Sequence, residues 1–144
     1  MQRLQFRLSP HPPYLSKEKK VMSRRIGYWI CTGLLALWLV PSGILDILRV
    51  PAVIEILHHL GYAGYVGVIL GIGKLLAIAA ILTPQTRLLR EWAYAGITFD
   101  LMGAFISHMV ARDPLRIAFI PLLVLGLAAA SYFLRADNLR LQSA

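Results

Sequence analysis

Residues 62–83 read YAGYVGVILGIGKLLAIAAILT. The stretch carries one charge, Lys74, and is otherwise apolar or small. A helix rising about 1.5 Å per residue crosses the roughly 30 Å of bilayer hydrocarbon in about 20 residues, so this run is long enough to span. Three more blocks are of the same kind: Ile26 to Leu48, Trp92 to Ala111, and Leu115 to Leu134. Together they predict an all-α integral membrane four-helix bundle over residues 26–134. The hydrophobic fraction, 58%, exceeds the roughly 45–50% of soluble domains, and 144 residues are too few to bury four such blocks in one water-soluble core.

Outside the blocks the chain is basic. Residues 1–25 hold Pro10, Pro12, Pro13 and seven of the 15 Lys and Arg residues, which predicts a disordered cytoplasmic tail. Residues 135–144 form a short second tail with Arg135, Asp137 and Arg140. Met22, just before Ser23-Arg24-Arg25, is an alternative start to Met1. The N-tail, the turn with Arg87 and Arg90, and the C-tail all fall on one side of the membrane. Arg49, Arg112 and Arg116 fall on the other. The richer side is expected in the cytoplasm, with both termini, in the inner membrane of a bacterium. The net charge of +8 is therefore read as lipid-facing, and no nucleic-acid-binding signature accompanies it. The single cysteine, Cys31, excludes an intramolecular disulfide and thiol chemistry of the Cys-x-x-Cys type.

Within the first span, Tyr28 and Trp29 suit a membrane interface, and Pro41 predicts a kink followed by Ser42 and Gly43. Pro51 to Leu60 is too short to span. Its apolar side is Val53, Ile54, Ile56, Leu57 and Leu60, and Glu55, His58 and His59 lie opposite, as in an interfacial or re-entrant helix. In the second span Gly67, Gly71 and Gly73 suit close helix approach.

Charges at mid-membrane depth persist when paired or functional. Lys74 and Asp100 sit near the middles of consecutive, antiparallel spans, which predicts an ion pair between them. The plainer role for such a pair is to fix helix register. On the third span Gly96, Asp100, Gly103, Ala104, Ser107 and His108 recur at steps of three and four and make one small, polar stripe, expected to pack inward. Depth then groups Asp46, Glu55, His59, Ser107 and His108 near the outer face, in a cavity with Lys74 and Asp100 at its floor. For each histidine the bland reading is a hydrogen-bonded interfacial side chain. A metal site from His58, His59 and His108 is disfavoured because adjacent histidines on a helix point apart. Haem ligation lacks a second histidine at matched depth on the other spans. No nucleophile–base motif, phosphate loop or dinucleotide fingerprint occurs.

The run Glu91-Trp92-Ala93-Tyr94-Ala95-Gly96, with Phe99-Asp100, Gly103-Ala104, Ser107-His108 and Asp113-Pro114, resembles the DoxX-like family of small bacterial membrane proteins. Tyr28-Trp29, Thr32-Gly33, Ser42-Gly43, His59-Leu60-Gly61-Tyr62 and Lys74 extend the resemblance to about residues 25–134. It implies a four-helix bundle. It also implies kinship with small subunits associated with thiosulfate–quinone oxidoreductases and oxidative-stress complexes. The implied motif positions are Lys74, Glu91, Trp92, Tyr94, Asp100, Ser107 and His108. The long basic N-tail departs from the family's short start, and the lone Cys31 speaks against thiol redox.

Three functions remain open. The first is an accessory subunit whose outward-facing polar cavity holds a small hydrophobic molecule, such as a quinone or lipid, or a partner subunit's helix. The second is a quinone-linked oxidoreductase component with an Asp100/His108 proton relay. The third is a small proton-coupled transporter, for which four helices are few unless the chain forms a homo-oligomer. The residues themselves call for no cofactor, and a quinone is the candidate that the resemblance adds.

Overall fold

The computed structural model describes residues 13–83 and 87–135, with side chains from residue 21 onward. The expectations for residues 1–12, 84–86 and 136–144 lie outside this range. The described residues form α1 (Pro13–Ile47), α2 (Pro51–His59), α3 (Tyr65–Leu82), α4 (Arg87–Val110), α5 (Leu115–Ala118) and α6 (Ile120–Leu134). The fold is the expected all-α bundle.

Several boundaries move. Residues 13–25, expected as a disordered tail, belong to α1, which is 35 residues long. Pro13 stands at its first position, where a missing N–H costs nothing, and the residues behind it are mostly good helix formers. At about 50 Å, α1 is longer than the hydrocarbon is thick. It continues through Pro41. The polar turn expected up to Glu91 is shorter, because α4 already begins at Arg87. The fourth span is two pieces broken at Phe119: Pro121 has no N–H to give the preceding turn, and its ring crowds the carbonyl of Ile117.

Val21–Ile47, Tyr65–Leu82 and Leu115–Leu134 are long and apolar enough to cross a membrane. Helix α4, which bears the polar stripe, does not qualify on apolarity. It packs against α3 and α6, while α1 packs against the same two helices from the other side. The four long helices thus close a ring in chain order. Leu35, Leu39, Ile78, Ile81, Ile97, Leu101 and Val124 fill its centre, while Leu37, Phe99, Val110 and Leu123 stand outward on the lipid-facing surface.

Three turns at one end share a design. Val50 N–H bonds the Leu45 carbonyl (3.3 Å) and Arg49 N–H that of Asp46 (3.3 Å). Asp113 N–H bonds His108 (3.0 Å) and Arg112 N–H bonds Met109 (3.2 Å). Tyr62 N–H bonds Leu57 (2.8 Å) and Gly61 N–H bonds His58 (3.0 Å). Each is a Schellman cap, closing a helix through one left-handed residue. Those residues are Arg49 (φ 52°), Arg112 (φ 59°) and Gly61 (φ 85°). After each arginine comes one residue and then a proline, which opens α2 at Pro51 and precedes α5 at Pro114. Helices α1–α3 and α4–α6 therefore repeat one plan: a long helix, a capped turn, a short helix, and a return.

Candidate functional site

The site begins with a backbone crossing. A Cβ built on Gly71 would lie 2.5 Å from the Gly43 carbonyl oxygen and 2.9 Å from the Asp46 Cβ. No side chain fits there, so α1 and α3 meet backbone to backbone. A Cβ on Gly67 would lie 2.8 Å from Leu57 Cδ1, which leaves room for α2 to lie against α3. One turn beyond this contact, Lys74 faces Asp46 and Ser42. Its Nζ donates to Asp46 Oδ2 at 2.7 Å and to Ser42 Oγ at 3.1 Å. Asp100 Oδ2 is 3.9 Å away.

The expected ion pair is present, with Lys74 and Asp100 3.9 Å apart, but the lysine's hydrogen bonds go to Asp46 and Ser42 on α1. The glycine crossing brings α1 closer to Lys74 than α4 comes. Asp46 thus joins the floor of the site instead of standing at its outer rim.

Above the floor, a cavity of about 680 Å³ is lined as far as His59, Tyr62 and Asp113 at the capped turns. Lys74, Asp100, Ser107, His108, Asp46 and His59 all line it. Glu55 and His58 do not; both lie on the exposed side of α2. Its mouth is tied by Asp113 and Tyr62, which stand among the motifs of the resemblance but were not expected in the site. Asp113 accepts from His108 Nδ1 at 2.6 Å and from His59 Nε2 at 2.7 Å. Tyr62 OH and Ser107 Oγ share a hydrogen bond of 2.7 Å. Ser107 also donates to the Gly103 carbonyl (2.8 Å). Asp113 and Tyr62 each occupy the second position past a Schellman cap, and that position turns them back over the cavity. The sequence signal for Asp113 is the Asp113-Pro114 pair among the motifs of the resemblance. The hydrogen bonds from His108 and then His59 hold its carboxyl below the usual aspartate value.

The small stripe of α4 does not pack as expected. A Cβ on Gly96, Gly103 or Gly73 would meet nothing within 4 Å. Gly103 and Ala104 line the cavity, and Gly73 and Gly96 line a second space of about 590 Å³ between α3 and α4. Among the described residues no group of three or more His, Cys, Asp or Glu is placed to hold a metal ion.

The remaining motif residues lie elsewhere. Tyr94 is buried, and its hydroxyl bonds Ser131 Oγ at 2.8 Å. Ser131 in turn bonds Thr32 Oγ1 at 2.7 Å, so α1, α4 and α6 are joined by one buried hydroxyl chain. Arg135, expected in a tail, is 2% exposed. It pairs with Glu91 and lies over the rings of Tyr132 (5.1 Å) and Tyr94 (5.9 Å). Its long apolar stem and planar head suit that aromatic setting better than water. Trp92 is exposed on the lipid-facing surface.

Comparison with curated proteins and with solved structures returned no match. The family model of the DoxX-like family matches residues 30–131, which takes in α2 to α5, the second half of α1, most of α6, the glycine crossing, the whole cavity and Asp113. With most of its length matched, this chain belongs to the DoxX-like family of membrane proteins.

Proposed function

We propose that this DoxX-like protein is an accessory membrane subunit whose cavity holds a small hydrophobic molecule with a polar head. One observation carries the reading: seven ionisable or hydroxyl side chains from α1, α2, α3 and α4 (Ser42, Asp46, His59, Lys74, Asp100, Ser107 and His108), with Tyr62 and Asp113 from the turns, converge on one otherwise apolar cavity. Its volume, about 680 Å³, is in the range of small-molecule sites, and apolar walls with a few convergent polar groups are their usual composition. The distribution of Lys and Arg supports a cavity opening away from the cytoplasm in a bacterial inner membrane, with both termini cytoplasmic.

Native mass spectrometry of the protein, extracted together with surrounding lipid, tests this. The expected result is one retained small molecule per chain, lost in Gly103→Leu, whose Cβ meets nothing within 4 Å and whose side chain takes up cavity space. Retention of bulk lipid alone, or of the same molecule by the variant, overturns the reading.

A second reading, a quinone-linked component with an Asp100/His108 relay, draws on both residues facing the same cavity. They are eight positions apart on α4, about 12 Å along its axis, so a bound molecule must bridge them. Quinone-dependent turnover by the membrane complex that survives Asp100→Asn and His108→Gln removes it.

A further inference from the structure

The cavity and the α3–α4 groove share four lining residues: Leu70, Lys74, Phe99 and Asp100. The two spaces therefore meet at the charged floor. The rim of the groove is Ile69, Leu76, Leu89, Trp92 and Phe99, all more than half exposed. Its bed is Gly73, Ala77, Ala80, Ala93 and Gly96, residues too small to fill it. On a membrane-spanning wall such a rim lies against hydrocarbon. The groove is thus open to the lipid and leads to Lys74 and Asp100.

The charges at that junction select a head group. Two of the three ammonium donors of Lys74 are committed, to Asp46 (2.7 Å) and Ser42 (3.1 Å). Asp100 stands at 3.9 Å from Nζ, beyond hydrogen-bond length, and accepts from no protein donor among the described residues. Two carboxylates thus face one lysine, and Asp113 adds a third acidic group at the mouth, shared by His59 and His108. An anionic head would meet this acidic excess. A positively charged head that donates hydrogen bonds would offset it and satisfy Asp100.

We infer that the site takes a single-chain amphiphile with a protonated amine head, which enters sideways from the lipid, sets its head on Asp100 and lays its tail in the α3–α4 groove. The inference rests on the proposed small-molecule site and names its ligand class and entry route.

Trp92 on the groove rim is a built-in reporter. With Trp29→Phe and Trp38→Phe it becomes the sole tryptophan of the chain. Fluorescence quenching by ω-bromododecylamine is measured on the purified full-length protein in mild detergent. The same-tailed ω-bromododecanol and ω-bromododecanoate are run beside it. The amine is expected to quench saturably and the carboxylate not to. Asp100→Asn is expected to weaken amine binding about tenfold, as loss of a charge-assisted hydrogen bond does. Gly96→Leu, whose Cβ meets nothing within 4 Å in the groove, should abolish saturation with an unchanged melting temperature. Equal saturation by all three heads, or indifference to Asp100→Asn, overturns the amine head but leaves the cavity reading intact. If no probe saturates, or Gly96→Leu has no effect, the groove route is overturned. The Gly103→Leu experiment decides the cavity reading separately.

Discussion

The two ends of the bundle handle buried polar groups in opposite ways. At the Tyr94 end, Thr32, Ser131 and Tyr94 bond one another across three helices, and Arg135 closes over them with Glu91. Each hydroxyl there has its partner in the neighbouring helix, so the polarity serves assembly. At the Lys74 end, the polar groups face an open cavity, and Asp100 has no hydrogen bond from the protein among the described residues. Polar atoms in hydrocarbon are costly unless satisfied, and at this end Asp100 has only its ion pair with Lys74, at 3.9 Å. The Tyr94 end shows that this chain can satisfy its polar groups internally, which makes the open Lys74 end informative.

Substitutions break or sharpen this contrast. The largest effect is expected at Lys74. Lys74→Ala strands Asp46 beside the glycine crossing and should cost about 3–5 kcal/mol in a denaturation assay in detergent. Adding Asp46→Ala should recover most of that loss, and adding Asp100→Ala should recover less, because only Asp46 is hydrogen-bonded to the lysine. Equal rescue by the two would make the floor one symmetric triad.

Gly71→Ala should destabilise by about 1–3 kcal/mol, since its Cβ must push α1 away, while Gly96→Ala should stay within about 0.5 kcal/mol. Similar melting temperatures for the two variants would mean that α1 and α3 do not cross so closely. At the other end, Ser131→Ala removes the shared partner of Thr32 and Tyr94 and should cost about 1–2 kcal/mol. It should leave small-molecule retention unchanged, since Ser131 is remote from the cavity. Loss of the retained molecule in this variant would dissolve the division between the ends.

The smallest effect concerns Asp113. Its folded carboxyl binds a proton less readily than in the unfolded chain, so its contribution to stability is present above the ordinary aspartate value of about 4 and lost as pH falls through and below it. Thermal melts at pH about 6 and about 3 should show a larger drop for the wild type than for Asp113→Asn. An equal drop in both would show that the two histidine contacts do not hold the carboxylate.

Much of the architecture was legible in the residues. Block length and the near absence of charge dictated the spans, because hydrocarbon tolerates little else. The periodicity of Asp100, Ser107 and His108 placed them on one face, and that face lines the cavity. Less legible was everything that depends on which helix comes nearest. The expected ion pair of Lys74 with Asp100 forms at 3.9 Å, but matched depth did not reveal the shorter bond to Asp46. Asp46 won because Gly43 and Gly71 let two backbones touch. Arg135 looked like a tail charge until the rings of Tyr94 and Tyr132 gave it a buried place.

The sequence by itself determined a membrane bundle of four long helices, a short amphipathic helix between the first two, and the meeting of Lys74 and Asp100, because these depend on length and periodicity along one chain. Tertiary structure decided which polar groups bond one another and which face open space. Those outcomes turn on ångström differences between helices: the 2.5 Å that excludes a methyl group at Gly71, and the open space beside Gly96 and Gly103.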